Sequence, residues 1–135
     1  MTANELRIGN FVYCKHKDGV EVGKISHLTD IDFITAKIGD VEYDGKAYNS
    51  IYHCIEPIPI AEDILLNCGF EKQNNGEYVT IYTKSDCIDI LCQKNVYYPY
   101  NYYDDIILGK ELKYVHELQN VVFVLTGQEL EIPFS

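Results

Sequence analysis

Residues 114–127 read YVHELQNVVFVLTG, and the rest of the chain is interpreted outward from them. At about 100° per residue, Tyr114, Val115, Leu118, Val121, Val122 and Leu125 form one apolar stripe, with His116, Glu117, Gln119 and Asn120 on the other side. The pattern predicts an amphipathic helix. Phe123 and Val124 lie off the stripe, so the second half is expected to be buried more deeply than the first, and Gly127 supplies a left-handed stop. Such an element organises packing and names no chemistry.

Before this helix the chain is strand-rich. Phe11 to His16 alternates, Asp18-Gly19 suits a hairpin, and Val20, Val22 and Ile25 carry a second strand past Gly23. Phe33 to Ile38 ends at Gly39-Asp40, Val41 to Tyr43 at Asp44-Gly45, and Ser50 to Ile55 runs into Glu56-Pro57. About five short strands hide their edges best by closing. Entry through Ile8-Gly9-Asn10 and a glycine-bearing second strand fit an SH3-like barrel over residues 1–56.

Pro57 and Pro59 place a boundary there, and residues 57–135 are expected to form an α+β subdomain. Its first helix opens on Glu62 and Asp63, buries Ile64, Leu65 and Cys68, and ends at Gly69 with Phe70 turned back on Leu65. Residues 72–76 are polar and turn-rich. Tyr78 to Thr83 and Cys87 to Gln93 predict a hairpin across Lys84-Ser85-Asp86, and Ile106 to Leu108 a third strand before the C-terminal helix, which is expected to lie on the sheet. Leu130, Ile132 and Phe134 alternate as a last edge strand.

With 47% hydrophobic and 24% charged residues, the 135-residue chain can bury a core. Its net charge of -10 disfavours nonspecific binding to phosphate backbones. Residues 1–56 hold 9 acids and 6 bases and residues 57–135 hold 12 and 5, so the nets are -3 and -7 and the second part sets the field. Five cysteines without a CxxC pair, behind a polar opening, predict reduced thiols in a cytoplasm. The longest apolar run is far below the roughly 20 residues a bilayer requires, so no membrane association is expected.

Three blocks carry a family resemblance: ELRIGNFVY at residues 5–13, EPIPIAEDILLNCGFEK at 56–72 and YVHELQNVVFVLTGQEL at 114–130. Together, in this order, they resemble a family of small proteins of unknown activity encoded by phages and prophages of gut Bacteroidetes, and they cover about a third of the chain. The resemblance implies a phage or prophage origin and a host-cytoplasmic or virion setting, with no catalytic residues to transfer. One departure is Ala61, where such proteins commonly carry a threonine; alanine cannot cap the helix, a loss of roughly 1 kcal/mol.

Chemistry-bearing constellations are sparse. Cys14 and His16 share one face of a strand, and His53-Cys54 lie on a candidate neighbour, but adjacent residues face opposite ways, so a zinc set is disfavoured and no metal or cofactor is assigned. A nucleophilic cysteine needs a base, and His116, expected on the exposed face, is the one histidine of the second part. Asp86, Asp89, Asp104 and Asp105 follow no calcium-loop spacing, and no phosphate loop, GxSxG or HExxH is present. No catalytic residue is assigned.

The segment YYPYNYYDD remains. Tyr97, Tyr98, Tyr100, Tyr102 and Tyr103, with Asp104 and Asp105, resemble a recognition surface, because tyrosine offers large contact area with few rotamers to freeze. Bulk and Pro99 predict an exposed or half-exposed loop; the plain alternative is that these rings pack over the helix. Nearby aspartates favour a protein partner over nucleic acid, and homo-oligomerisation is left open. Three rival functions compete with a noncatalytic interaction module. An acidic nucleic-acid mimic needs aligned carboxylates, a barrel-type nucleic-acid binder needs Lys15, Lys17, Lys24, Lys37 and Lys46 on one face, and an enzyme needs His116 beside a cysteine or carboxylate in a cleft.

Overall fold

The computed structural model describes residues 6–16, 19–28, 33–38, 41–46, 54–74 and 78–134, which contain ten strands and two helices in a mixed α+β arrangement. The chain divides into two compact units, Met1–Ile58 and Pro59–Ser135.

The first unit holds β1 (Phe11–His16), β2 (Gly19–Leu28), β3 (Phe33–Ile38), β4 (Val41–Lys46) and β5 (Cys54–Glu56). β1 to β4 pair antiparallel in sequence order, and β5 pairs antiparallel with β1 and meets β4 through one parallel bridge, Lys46 opposite Cys54. Period-2 alternation in β1 turns Val12 and Cys14 inward, where they are buried with Ile25 and Ile55, and leaves Lys15 outside to pair with Glu56 at 2.7 Å. The turn before β1 docks on β2. Gly9 adopts φ +97 and donates to the Ile25 carbonyl, Ile25 donates back to Asn10, and the buried Asn10 amide oxygen accepts from Arg7 at 2.7 Å. Asp44 and Gly45, expected to end a strand, lie within β4 because Thr35 and Ile34 of β3 hold them in the ladder. The expected turns at Asp18 and Gly39-Asp40 involve residues outside the described ones, as does the Ser50 to His53 part of the last strand.

The second unit opens with α1 (Glu62–Asn67). Ala61 occupies its N-cap and makes no side-chain cap bond, as the sequence anticipated. At the other end the Phe70 amide donates to Leu65 and the Gly69 amide to Leu66, with Gly69 at φ +98, a Schellman closure. Leu65, Cys68 and Phe70 are buried, whereas Ile64 is half-buried.

Five strands follow, β6 (Glu71–Asn74), β7 (Val79–Thr83), β8 (Asp89–Gln93), β9 (Val96–Asn101) and β10 (Ile106–Ile107), in the antiparallel order β10-β9-β8-β7-β6. Two expectations are corrected here. The polar segment after α1 forms β6, because an edge strand needs only one partner and its exposed Glu71 and Lys72 remain in water. The tyrosine segment as far as Asn101 is β9, an interior strand rather than a loop, whereas Tyr102 to Asp105 form an exposed turn as expected. Pro99 is tolerated in β9 because its backbone polar groups face outward from β8: its carbonyl accepts from Leu108 at 2.8 Å, so the missing N–H falls on the side of the two-residue β10. Between β8 and β9, Lys94 and Asn95 have φ of 53° and 63°, the two-residue turn that suits strand twist.

α1 lies against the sheet face that carries Lys72, Tyr82 and Ile90. The Tyr82 hydroxyl donates to Glu62 at 3.0 Å, Lys72 pairs with Glu62 at 2.8 Å, and Lys84 donates to the Cys68 carbonyl at 2.7 Å. The opposite face carries a cluster of Ile81, Leu91 and Tyr100, flanked by Val79 and Tyr98.

The chain then runs beside β9, where Leu112 donates to Tyr97, and beside residues 59–60, where Ile60 donates to Lys113, before α2 (Val115–Thr126) begins. The Glu117 carboxylate accepts from the amides of Lys113 and Tyr114, both at 2.9 Å, and Gly127 at φ 74 ends the helix. Its buried face differs from the predicted stripe. Val115, His116, Leu118, Gln119 and Val122 are buried, and the last turn, expected to be deepest, exposes Phe123, Val124 and Leu125. The helix is thus rotated toward His116 and Gln119. Tyr114 lies before its first turn, where its ring stacks on His116 at 5.8 Å, and so does not continue the stripe. After α2, Leu130 and Ile132 are buried without forming the expected strand; the Phe134 amide turns back to the Ile132 carbonyl, and Pro133 has no donor to offer a ladder.

Candidate interaction surface

The seven residues singled out as a contact surface separate into two groups. Tyr97, Tyr98 and Tyr100 belong to β9 and serve the fold. Tyr97 is half-buried, its ring 6.4 Å from that of Tyr82, and burial raises its phenol pKa. Tyr98 packs on the Ile81, Leu91 and Tyr100 cluster. Tyr100 is buried and its hydroxyl donates to the Asp105 carboxylate, a bond that pushes the phenol up to about 12.

Tyr102, Tyr103, Asp104 and Asp105 form the four-residue connection from β9 to β10, and all four are exposed. Asn101 builds this turn. Its side-chain oxygen accepts from the Tyr103 and Asp104 amides at 3.0 and 3.2 Å, its amide nitrogen donates to Asp104 at 3.2 Å, and Asp89 accepts from the Tyr102 amide at 3.0 Å. Asp105 takes φ 53, the left-handed conformation an aspartate tolerates better than most residues. Both aspartates therefore work inside the turn as acceptors, and the tyrosines stand outside it. Tyr103 is 95% exposed and meets Tyr102 edge-on at 6.4 Å. Ile106, Ile107 and Leu108 continue the exposed apolar strip. Beside the tip, a cleft of about 330 Å3 lies between the β7–β8 turn and Tyr100, Tyr103 and Leu108.

The sequence did not single out Asn101 or Asp89 in these positioning roles. An asparagine followed by two large residues and an aspartate is the available signal, since a short amide can hold a turn that aromatics cannot.

Other candidate chemistry is placed as follows. His116 is fully buried and stacked on Tyr114, contrary to its expected exposed position. Burial raises the thiol pKa of Cys14 and Cys68 to about 11 and also raises those of Cys87 and Cys92, which disfavours thiolate at neutral pH. Among the described residues no group of three or more His, Cys, Asp or Glu could hold a metal ion, and His53 lies outside them. Of the five barrel lysines, Lys15 pairs with Glu56 and Lys24 sits over the Phe11 ring at 5.3 Å; Lys17 and the side chains of Lys37 and Lys46 lie outside the description. Among the described residues no helix is long and apolar enough to cross a membrane. Comparison with family models, with curated proteins and with solved structures finds no match.

Proposed function

We propose that the chain is a noncatalytic interaction module of phage or prophage origin, acting in the host cytoplasm or the virion, whose second unit presents the β9–β10 tip to a protein partner. The observation that carries this reading is Tyr102 and Tyr103 raised into solvent on a turn whose backbone is fixed by Asn101 and Asp89. A pre-set aromatic pair gives up little freedom on binding, and its hydroxyls can serve polar contacts. The first unit, whose strands β1 to β4 pair in sequence order with β5 against β1, is read as an SH3-like barrel.

The rival readings draw less support. Several carboxylates are engaged one by one on different elements, Glu56 with Lys15, Glu62 with Lys72 and Tyr82, and Glu117 with the start of α2, which is unlike a phosphate-spaced row. A basic barrel face for nucleic acid is weakened by the Lys15 ion pair. Catalysis through His116 has no route to solvent at a side chain that is fully buried.

The test is affinity purification from native host cells with the parent chain and with Tyr102→Ser/Tyr103→Ser, a pair that leaves the Tyr97, Tyr98 and Tyr100 packing intact. Loss of a reproducible protein partner from the variant is expected. Equal recovery of the same partners by both forms sinks the proposal.

A further inference from the structure

The cleft beside the tip is walled by Asp86, Ile88, Asp89, Tyr100, Tyr103 and Leu108, and its volume of about 330 Å3 gives room for one long side chain. Its charge is one-sided. Lys84 also borders it, but the Lys84 ammonium donates to the Cys68 carbonyl at 2.7 Å and lies 5.8 Å from the centre of the Phe70 ring, and neither Cys68 nor Phe70 lines the cleft. The other charged groups of the wall are the carboxylates of Asp86 and Asp89, and among the described residues neither is in an ion pair. Asp86 is exposed on the β7–β8 turn, and Asp89 gives one oxygen to the Tyr102 amide at 3.0 Å.

Carboxylates next to an open phenol ring suit a guanidinium. That group donates in a planar fork to carboxylates, lays its face on an aromatic ring and rests its methylene stem on apolar surface, which Ile88 and Leu108 offer here. A hard divalent cation takes roughly six or more oxygen ligands, and among the described residues no group of three or more His, Cys, Asp or Glu could hold one. A phosphate meets two carboxylates and the acidic excess of residues 57–135. Charge complementarity therefore selects a cationic occupant, and the exposed Tyr103 ring selects a planar one.

We propose that this cleft receives an arginine side chain of the protein partner, its guanidinium bound by the Asp86 and Asp89 carboxylates and covered by the Tyr103 ring, which rests on and deepens the reading of the β9–β10 tip as the partner-facing surface. Lysine fits less well, because a compact ammonium cannot fork between carboxylates while stacking on the ring.

The test titrates the purified, isotopically labelled chain with a short blocked peptide holding one arginine between glycines, followed by amide NMR. Saturable shifts confined to residues 84–89 and 100–108 are expected, and the same peptide with citrulline, which keeps the shape and loses the charge, should produce none. Asp86→Asn/Asp89→Asn should weaken binding roughly tenfold or more. Asparagine tolerates the φ of 58° at position 86 and keeps an oxygen for the Tyr102 amide at position 89, so the remaining spectrum should not change. Glu71→Gln/Glu131→Gln removes the same charge at exposed positions outside the cleft and should leave binding within about twofold of the parent. Absence of a saturable response, equal shifts with citrulline, or equal losses in the two double variants each overturns the proposal. A partner lost from Tyr102→Ser/Tyr103→Ser without any cleft response to arginine removes the arginine and keeps the interaction module.

Discussion

At the scale of single residues, the roles in this protein follow from where a polar tip ends. Tyr100 and Tyr103 differ by three positions, yet one hydroxyl is held by Asp105 beneath the turn and the other ring stands in water. The Asp105 bond favours the neutral phenol, so the Tyr100 pKa is raised above the ordinary value of about 10 to about 12. A group whose folded pKa is raised contributes stability in full below its unfolded pKa. That contribution fades as pH climbs from about 10 through about 12. In Asp105→Asn, ultraviolet titration of the phenols should show Tyr100 ionising at lower pH than in the parent, and the alkaline limb of the stability curve should flatten. His116 illustrates what sequence leaves unread at this scale. A histidine among polar neighbours suggests a wet face, and only its stacking on Tyr114 and the burial of Gln119 one turn along reveal the opposite.

At the scale of elements, backbone pattern was more legible than side-chain destination. The hairpin across Lys84 to Asp86, the short helix ending at Gly69 and the long helix ending at Gly127 were all readable, because turn glycines and alternation act locally. β9 was not readable, since whether Pro99 breaks a ladder depends on which neighbour its missing donor would have faced, a fact of pairing rather than of sequence. The rotation of α2 was hidden for a similar reason: the stripe gives an axis, but packing selects the face. Leu118→Ala should therefore lower stability by about 3 kcal/mol, whereas Val124→Ala, at a position 76% exposed, should change it by less than about 0.5 kcal/mol; chemical denaturation distinguishes them. The β8–β9 turn offers a gain. Lys94→Asn with Asn95→Gly relieves side chains held at positive φ and should add about 0.5–1 kcal/mol in the same assay.

At the scale of the whole molecule, the sequence indicated two parts and an acidic field that is stronger in the second, and the chain divides into the compact units Met1–Ile58 and Pro59–Ser135 within the proline-bearing stretch. The candidate surface was legible only in part. The composition of the tyrosine segment marked Tyr102 and Tyr103, which are exposed, while the division of that segment into strand and turn required the register of β9 against β8. With -10 charge, the chain should produce no salt-sensitive shift of DNA or RNA in a mobility assay, and its solubility should pass through a minimum near its pI of 4.7. Protected β6 has a consequence of its own. A sheet open at both margins can recruit strand after strand, but a margin guarded by Glu71 and the Lys72–Glu62 pair is a terminus, at which the ladder of β6 stops.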